Sequence, residues 1–329
     1  MSTEPLISVI IPVYNAGALL CQSLDSLLNQ TFRDWEAICV DDGSIDGSGD
    51  LLDEYAGRDS RIKVVHQPNG GVSAARNCGL EHASAPYITM LDADDYFAPT
   101  ALEELYSCMH DHDCDVVCCT MRKLFANGHT EVECARFRNG LRKAVPADIY
   151  RFAMRSPCCK LYKRSILNRE KIRFPLGIPI CEDDVFVVSY WYHVKSFYML
   201  DKPLYNYVQS ESSVLKKLGE GSLPLECYMA TLDVPVMIYR YIQSKGPSDE
   251  LRRTWATLLF KSQCHIGLWM LECNINNDHK LLLSKKNRNN KKEIRHDVSS
   301  LWASCMENYI GMLRKLKRWL RKICLILKS

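Results

Sequence analysis

The sequence of 329 residues has no long uninterrupted apolar run. A membrane-spanning helix needs about 18 to 20 such residues in succession, so a multi-pass membrane protein is excluded. The first apolar segment, residues 6–14, contains Pro12 and follows no basic residue, which is unlike a secretory signal peptide. We therefore expect a cytoplasmic protein.

Cysteine pairs with the spacing of a metal site are also missing, although the chain has 16 cysteines. No two of them are separated by two residues, which is the spacing that zinc sites and redox motifs use. Disulfides are rare in the cytoplasm, and several of these cysteines lie in apolar runs such as residues 116–119. The sequence therefore predicts buried free thiols.

Acidic residues are scarce near the end of the chain. Residues 280–329 carry 14 Lys and Arg against three acids, a balance of +11, so the overall charge of +3 leaves −8 for residues 1–279. Residues 284–296, which are basic and rich in asparagine, are predicted to form a loop.

The last basic segment has the pattern of an amphipathic helix over about residues 301–328. From Tyr309 to Lys328 apolar residues recur every three or four positions, and no acid lies between them. A basic helix of this kind that contains Trp319 is typical of one lying in the surface of an anionic membrane. A helix that packs on the protein body is the alternative, and nothing else in the sequence indicates nucleic-acid binding.

Strand and helix signals alternate with short connections over the first 120 residues. This alternation predicts an α/β fold with a doubly wound, mostly parallel sheet and helices on both faces. Polar clusters follow the strands at residues 14–15, 41–42, 67–71 and 92–95. Because open α/β sheets bind ligands outside the carboxyl ends of their strands, we expect the functional site at this edge.

The acidic clusters by themselves allow two interpretations. Asp92 and Asp94, one residue apart after a strand, suit a hard cation such as Mg²⁺ or Mn²⁺, which binds carboxylates together with substrate phosphates. Aspartate is equally common in turns and helix caps, so the same residues would also serve to lead the chain into Pro99. The residues alone leave both interpretations open.

Five motifs, taken in their order along the chain, help to decide between these two interpretations of the acidic clusters. The chain has SVIIPVYN at 8–15, NQTF at 29–32, VDDGSID at 40–46, NGGVSAARNCG at 69–79 and LDADD at 91–95. Together they closely resemble the family 2 glycosyltransferases over about residues 6–110, and later motifs extend the resemblance to about residue 215. The resemblance implies the GT-A fold. It gives a catalytic domain over residues 1–215, with a nucleotide-sugar half (about 1–120) and an acceptor half (about 121–215). A helical region over residues 216–329 follows.

The resemblance also implies roles for residues at the sheet edge. Pro12 and Tyr14 resemble the segment that packs on the uracil of a UDP-sugar. Asp42 resembles the acid that hydrogen-bonds the base, with Asp41 supporting the turn. In the DxD motif, Asp94 is similar to the residue that binds the metal directly. The remaining nucleotide-side and metal-side contacts implied are Arg76, Asn77, Asp92 and Lys160, the last facing phosphate or acceptor.

A second acidic cluster resembles the family's EDxxF motif. It comprises Glu182, Asp183 and Asp184, and by this resemblance Asp183 is the base that removes the proton from the acceptor hydroxyl. Glu182 and Asp184 are possible alternatives to it. The residues alone also fit a helix N-terminus, where negative charge is favourable.

The resemblance implies an inverting, metal-dependent hexosyl- or N-acetylhexosaminyltransferase. Its donor would be a UDP-sugar, and its acceptor a glycan or lipid-linked oligosaccharide in surface polysaccharide or glycolipid synthesis. The basic helix would place it at the inner face of the cytoplasmic membrane. Alternatives are a catalytically degenerate assembly partner with the same fold and a sugar-phosphate nucleotidyltransferase. A nucleotidyltransferase and a dinucleotide-dependent oxidoreductase both need a glycine-rich loop after the first strand. No such loop follows it here, which disfavours both classes of enzyme.

Overall fold

The computed structural model describes residues 4–132, 139–146, 148, 156–209, 223–270 and 277–295. The chain divides into two compact units, Met1–Glu211 and Ser212–Ser329. The predicted domain boundary at residue 215 and the predicted terminal helix over residues 301–328 lie outside the described residues.

The first unit begins with regular alternation of strands and helices, as predicted. The elements are β1 (Ile7–Val13), α1 (Leu19–Leu28), β2 (Trp35–Asp41), α2 (Ser48–Arg58), β3 (Ile62–His66), α3 (Val72–His82) and β4 (Tyr87–Met90). These strands pair in parallel in the order β3–β2–β1–β4. From β1 to β3 each new strand is added on one side of β1, and β4 is then added on the other side. Because right-handed crossovers connect the strands, this change of side puts α3 on the face opposite α1 and α2.

The rest of the first unit extends the same sheet with both parallel and antiparallel strands. Its elements are β5 (Tyr96–Phe97), α4 (Ala101–His112), β6 (Val116–Phe125), β7 (Thr130–Val132), β8 (Gly140–Lys143), β9 (Lys160–Lys163), α5 (Arg164–Arg169), α6 (Glu182–Trp191) and β10 (Ser196–Gln209). Strand β9 lies between β4 and β6 and is antiparallel to both. Strand β10 is parallel to β6 and antiparallel to β5 and β8. The α/β fold class is confirmed, with the continuous run of parallel strands confined to the first half.

The core of this unit is built from buried strand residues and large aromatic side chains. Phe174 and Phe186 stack with ring centroids 4.1 Å apart, and Tyr162 packs edge-on against Phe186. The cysteines whose side chains are described are free thiols. Those at positions 39, 114, 118, 119, 158 and 159 are buried as predicted, and those at 21, 78, 108, 181 and 227 are partly exposed.

The second unit contains the helices α7 (Leu225–Ser244), α8 (Asp249–Met270) and α9 (Asn277–Arg295). The predicted loop over residues 284–296 is wrong, because α9 continues through it to Arg295. Asparagine has low helix propensity, but tertiary contacts override it here. Leu283 and Ile294 are buried, and the Asn290 amide donates to the Leu232 carbonyl at 2.6 Å. None of the helices among the described residues is long and apolar enough to cross a membrane.

Candidate functional site

The loops that follow β1 and β2 are joined by hydrogen bonds at the carboxyl edge of the sheet. The Asn15 N–H donates to Ser44 Oγ at 3.0 Å, and the Ile45 N–H donates to Asn15 Oδ1 at 2.9 Å. Asn15 has a φ of 49°, a left-handed conformation that asparagine tolerates better than most residues. Tyr14 lies beside this junction with 54% of its surface exposed, so its ring is available to a ligand.

Asp41 supports the turn after β2 from within. Its Oδ1 accepts a hydrogen bond from the Ser44 N–H at 3.0 Å, and its Oδ2 lies 2.9 Å from His66 Nδ1. Burial acts to raise the pKa of Asp41, but these hydrogen bonds outweigh it and lower the pKa. The side chain is therefore a carboxylate that orders the turn.

Asp42 organises a different loop, the one that leads into α3. Its Oδ1 accepts hydrogen bonds from Gln67 Nε2 at 2.7 Å and the Gly70 N–H at 2.9 Å, and its Oδ2 accepts from the Gly71 N–H at 2.8 Å. A carboxylate offers about four acceptor positions, so one remains for a ligand. The predicted contact with a nucleotide base stays a prediction.

Arg76 joins two acidic clusters that are distant in the sequence. Its Nη2 donates to Asp92 Oδ1 at 3.0 Å, and its Nη1 donates to Glu182 Oε1 at 2.7 Å across 106 positions of the chain. Burial opposes the positive charge, but the surrounding carboxylates, of which Asp92 contributes most, raise the pKa of Arg76. A permanent buried cation therefore lies between the DxD motif and the start of α6.

Asn77 and Lys160 are turned toward the protein backbone. Asn77 Nδ2 donates to the Phe174 carbonyl at 2.9 Å, and Asn77 Oδ1 accepts from the Phe174 N–H at 2.8 Å. Lys160 is buried, and its ammonium donates to the carbonyls of Ser156 and Cys158. These hydrogen bonds hold both side chains against the backbone. The nucleotide contact predicted for Asn77 and the phosphate or acceptor contact predicted for Lys160 stay predictions.

The two aspartates of the DxD motif have different surroundings. The carboxylate oxygens of Asp92 accept from Arg76 and, at 3.6 Å, from the Cys158 thiol. Asp94 accepts no hydrogen bond from another residue in the described part of the chain, and burial together with the charge of Asp92 raises its pKa. A nearby cation would relieve this repulsion, which fits Asp94 as a direct metal ligand.

No group of three or more metal-binding side chains is present among the residues described. Mg²⁺ and Mn²⁺ do not require one, because they commonly bind one or two carboxylates and complete their coordination with phosphate oxygens and water. The Asp92–Asp94 pair supplies donors of this type, so the residues present fit such a cation.

The third aspartate of this segment has a structural partner that sequence reasoning missed. Asp95 is buried, and its carboxylate accepts from the Tyr205 hydroxyl at 2.6 Å and from the Val208 N–H at 2.8 Å. Burial, assisted by the charge of Asp92, raises the pKa of Asp95 to about 8. The Tyr205 hydroxyl also accepts from the Asp92 N–H at 3.3 Å, so β10 positions the DxD segment. No local signal reveals partners 110 or more residues apart.

The acidic cluster Glu182, Asp183 and Asp184 forms the first turn of α6, where the helix dipole favours negative charge. Burial and the adjacent charge of Asp183 raise the pKa of Glu182, while Arg76 opposes this shift. Asp183 is partly exposed. Of the three acids, Glu182 is buried and bound to Arg76, whereas Asp183 and Asp184 are both partly exposed.

Known proteins share both the sequence and the fold. The family model described as Glycosyl transferase family 2 matches residues 8–170. The putative glycosyltransferase EpsH of Bacillus subtilis is 30% identical over 80% of this chain and 78% of its own length. The chain spans less than two thirds of the length of several other curated relatives that it matches.

Two solved structures resemble the chain along most of its length. Residues 1–349 of S. aureus TarS in complex with UDP-GlcNAc give a TM-score of 0.61 at 19% identity, covering 86% of this chain and 91% of that one. The mannosyltransferase PcManGT of Pyrobaculum calidifontis, in complex with GDP-Man and Mn²⁺, gives 0.53 at 15% identity, covering 92% and 87%. At these identities the likeness establishes the fold, which is the GT-A fold of such enzymes. The chain belongs to glycosyl transferase family 2.

Proposed function

We propose that this protein is an inverting, divalent-metal-dependent glycosyltransferase. It transfers a hexosyl or N-acetylhexosaminyl group from a UDP-sugar to a hydroxyl of a glycan or lipid-linked oligosaccharide in bacterial surface polysaccharide or glycolipid synthesis. The observation that carries the proposal is the position of Arg76, bonded to both Asp92 and Glu182. It brings the acids of the nucleotide half next to the acids that begin α6. Family membership and the UDP-GlcNAc bound to TarS support the donor class.

Donor recognition is assigned to the loops after β1 and β2. The exposed ring of Tyr14, two residues after Pro12, offers a flat apolar surface for the uracil. Asp42 retains an acceptor position for a base N–H, while Asp41 keeps the neighbouring turn ordered through Ser44.

Asp94 and Asp92 are the residues that would hold the cation. When bound, Mn²⁺ or Mg²⁺ supplies Lewis-acid stabilisation of the charge that grows on the leaving diphosphate. The Mn²⁺ in PcManGT supports this cofactor class. Arg76 fixes the orientation of Asp92, and Tyr205 fixes its backbone.

Proton removal is assigned to Asp183. Asp183 is partly exposed, whereas Glu182 is buried and forms an ion pair with Arg76. The resemblance to the EDxxF motif selects Asp183 over Asp184, which is also partly exposed. A positioned carboxylate base contributes about 10² to 10⁴-fold to the rate. With one base and no assigned nucleophile, displacement inverts the anomeric carbon and gives a β product from an α-linked donor.

The proposed site of action is the inner face of the cytoplasmic membrane. The basic amphipathic pattern over residues 301–328 supports this location through its charge and its Trp319. The acceptors are then lipid-linked glycans presented at that surface.

A donor-hydrolysis screen tests the assignment. The full chain is incubated with UDP-, GDP-, CMP- and dTDP-sugars in the presence of Mn²⁺, Mg²⁺ or a chelator, and nucleotide release is measured. We expect metal-dependent release from a UDP-sugar, lost in Asp94→Asn. The matched control is Asp50→Asn, which changes an exposed aspartate in α2 and leaves release intact.

A calorimetric measurement of UDP binding distinguishes an active transferase from a catalytically degenerate assembly partner. We expect Asp183→Asn to bind UDP like the wild type and to lose transfer, because Asp183 acts on the acceptor. If UDP binds neither with nor without metal, the transferase proposal is wrong and the assembly-partner interpretation replaces it.

A further inference from the structure

Helix α9 uses one of its faces to pack within the second unit. Leu283, Asn287 and Ile294 are buried, and Asn290 donates to the Leu232 carbonyl at 2.6 Å. These four positions recur at intervals of three and four, so they share one face of the helix. The face turned toward α7 is therefore defined by packing and hydrogen bonds.

A second face of α9 carries an exposed row of positive charge. Lys285, Arg288 and Lys292 are all exposed and follow each other at i, i+3 and i+7, so they lie in a row about 10 Å long. We call these three residues the basic face. None of them forms an ion pair with a residue whose side chain the structure describes.

The neighbouring residue Lys286 differs from the basic face, because its side chain is turned toward α7 and its charge is paired there. Its ammonium binds the Asp233 carboxylate of α7. Over its whole length α9 has seven Lys and Arg against Asp278 and Glu293, a net charge of +5 with His neutral. Like charges at this spacing repel one another, and an anionic partner at the basic face would remove that repulsion.

We propose that the basic face of α9 binds the surface of an anionic lipid bilayer. The helix contains no Phe, Tyr or Trp, so it lacks the stacking platform typical of single-stranded nucleic-acid sites. Lysine and arginine side chains near anionic headgroups gain affinity without any shaped pocket. The basic amphipathic pattern over residues 309–328 follows in the same sequence, and two linked contacts bind one membrane more tightly than either alone. This inference goes beyond the proposed activity and does not depend on it.

Flotation of the full chain with vesicles tests the basic face. One set of vesicles is phosphatidylcholine alone, and the other contains roughly 30% phosphatidylglycerol, at about 0.1 M salt. The triple variant Lys285→Gln/Arg288→Gln/Lys292→Gln removes the basic face. The matched control Arg122→Gln/Lys143→Gln/Lys195→Gln removes the same charge from exposed positions of the first unit. A charge-conserving variant, Lys285→Arg/Arg288→Lys/Lys292→Arg, tests for rescue.

We expect the wild type to bind the anionic vesicles and the triple variant to bind them about a hundredfold more weakly, because each of the three charges contributes about fivefold. The control triple should stay within about twofold of the wild type, and the charge-conserving variant should bind fully. UDP binding should be unchanged in all of these variants. It is an independent readout of the proposed activity, so a failure of that activity can be distinguished from a failure of membrane binding.

Three results would overturn the inference. The first is a wild type that does not bind anionic vesicles, and the second is an equal loss in the two triple variants, which would make net charge the cause. The third is a triple variant that loses binding to a single-stranded oligonucleotide while its vesicle binding stays intact, which would assign the face to nucleic acid.

Discussion

Arg76 Nη2 donates to Asp92 Oδ1 at 3.0 Å, and this ion pair couples the DxD motif to the interior of the protein. The same guanidinium binds Glu182 at 2.7 Å. Its Nε is buried and has no hydrogen-bond partner within the described part of the chain. One side chain thus balances two carboxylates, and the geometry of both acidic clusters depends on it.

Removal of Arg76 should destabilise the fold and stop transfer. Arg76→Met leaves the buried Glu182 carboxylate without its partner, and breaking a buried ion pair in this way costs about 3 to 5 kcal/mol. The double variant Arg76→Met/Glu182→Gln should regain part of that free energy of unfolding but none of the activity. Urea unfolding of the two single variants and the double variant measures the coupling. Strictly additive losses would contradict the ion pair. Arg58→Lys, in an exposed pair with Glu54, serves as the control.

The hydroxyl of Tyr205 should matter for metal binding as well as for stability. Tyr205→Phe keeps the ring against Phe97 but removes the hydrogen bonds to Asp95 and the Asp92 N–H, which costs about 1 to 3 kcal/mol. We expect the apparent Mn²⁺ affinity to fall by about tenfold, since a second-sphere hydrogen bond orients the metal ligands.

Tyr162→Phe is the matched control for Tyr205. It removes another buried hydroxyl, which donates to the Pro157 carbonyl at 2.9 Å. A similar loss of stability with unchanged Mn²⁺ affinity is expected. Equal Mn²⁺ affinities in the two variants would mean that Tyr205 has only a structural role.

The Asn77 amide should affect the proton-transfer step and leave donor binding intact. In Asn77→Ala the backbone of Phe174 loses both hydrogen bonds, and the loop that leads into α6 and Asp183 loosens. We expect kcat to fall by about tenfold with the KM for the UDP-sugar nearly unchanged, because the proposed base, Asp183, lies on α6. A raised KM with unchanged kcat would instead support the nucleotide contact that the sequence predicted.

His66 should make stability depend on pH between about pH 6 and pH 8. Hydrogen bonds to Asp41 and then Asp53 raise the pKa of His66 above 6.5, so its contribution is fully present below 6.5 and is lost as the pH rises through the folded-state value. Asp41 has a lowered pKa and is ionised throughout this range. Urea unfolding should therefore show a larger difference between wild type and His66→Gln at about pH 6 than at about pH 8. An equal difference at both values would contradict this account.

Local pattern was sufficient for the first half of the fold and for the location of the site. Strands β1 to β4 and helices α1 to α3 follow from hydrophobic periodicity and turn residues, because each element depends on residues a few positions apart. Alternation of strands and helices implies parallel pairing, and parallel pairing brings the polar strand ends to one edge. The acids of the DxD motif lie at that edge, whereas the roles of these acids and of the acids of α6 come from the family resemblance and stay predictions.

Contacts between residues 42 to 110 positions apart were decided by the tertiary structure. Three such contacts join segments that no local sequence pattern connects. They are the insertion of β9 between β4 and β6, the hydrogen bonds between Asn77 and Phe174, and the hydrogen bond from Tyr205 to Asp95. Helix α9 forms over an asparagine-rich stretch because its partners lie on α7. The sequence by itself determines which residues are ionisable and where strands β1 to β4 end. Which carboxylate is bound by Arg76 and which is left for a substrate depends on packing, because an ion pair takes its partner from three-dimensional proximity.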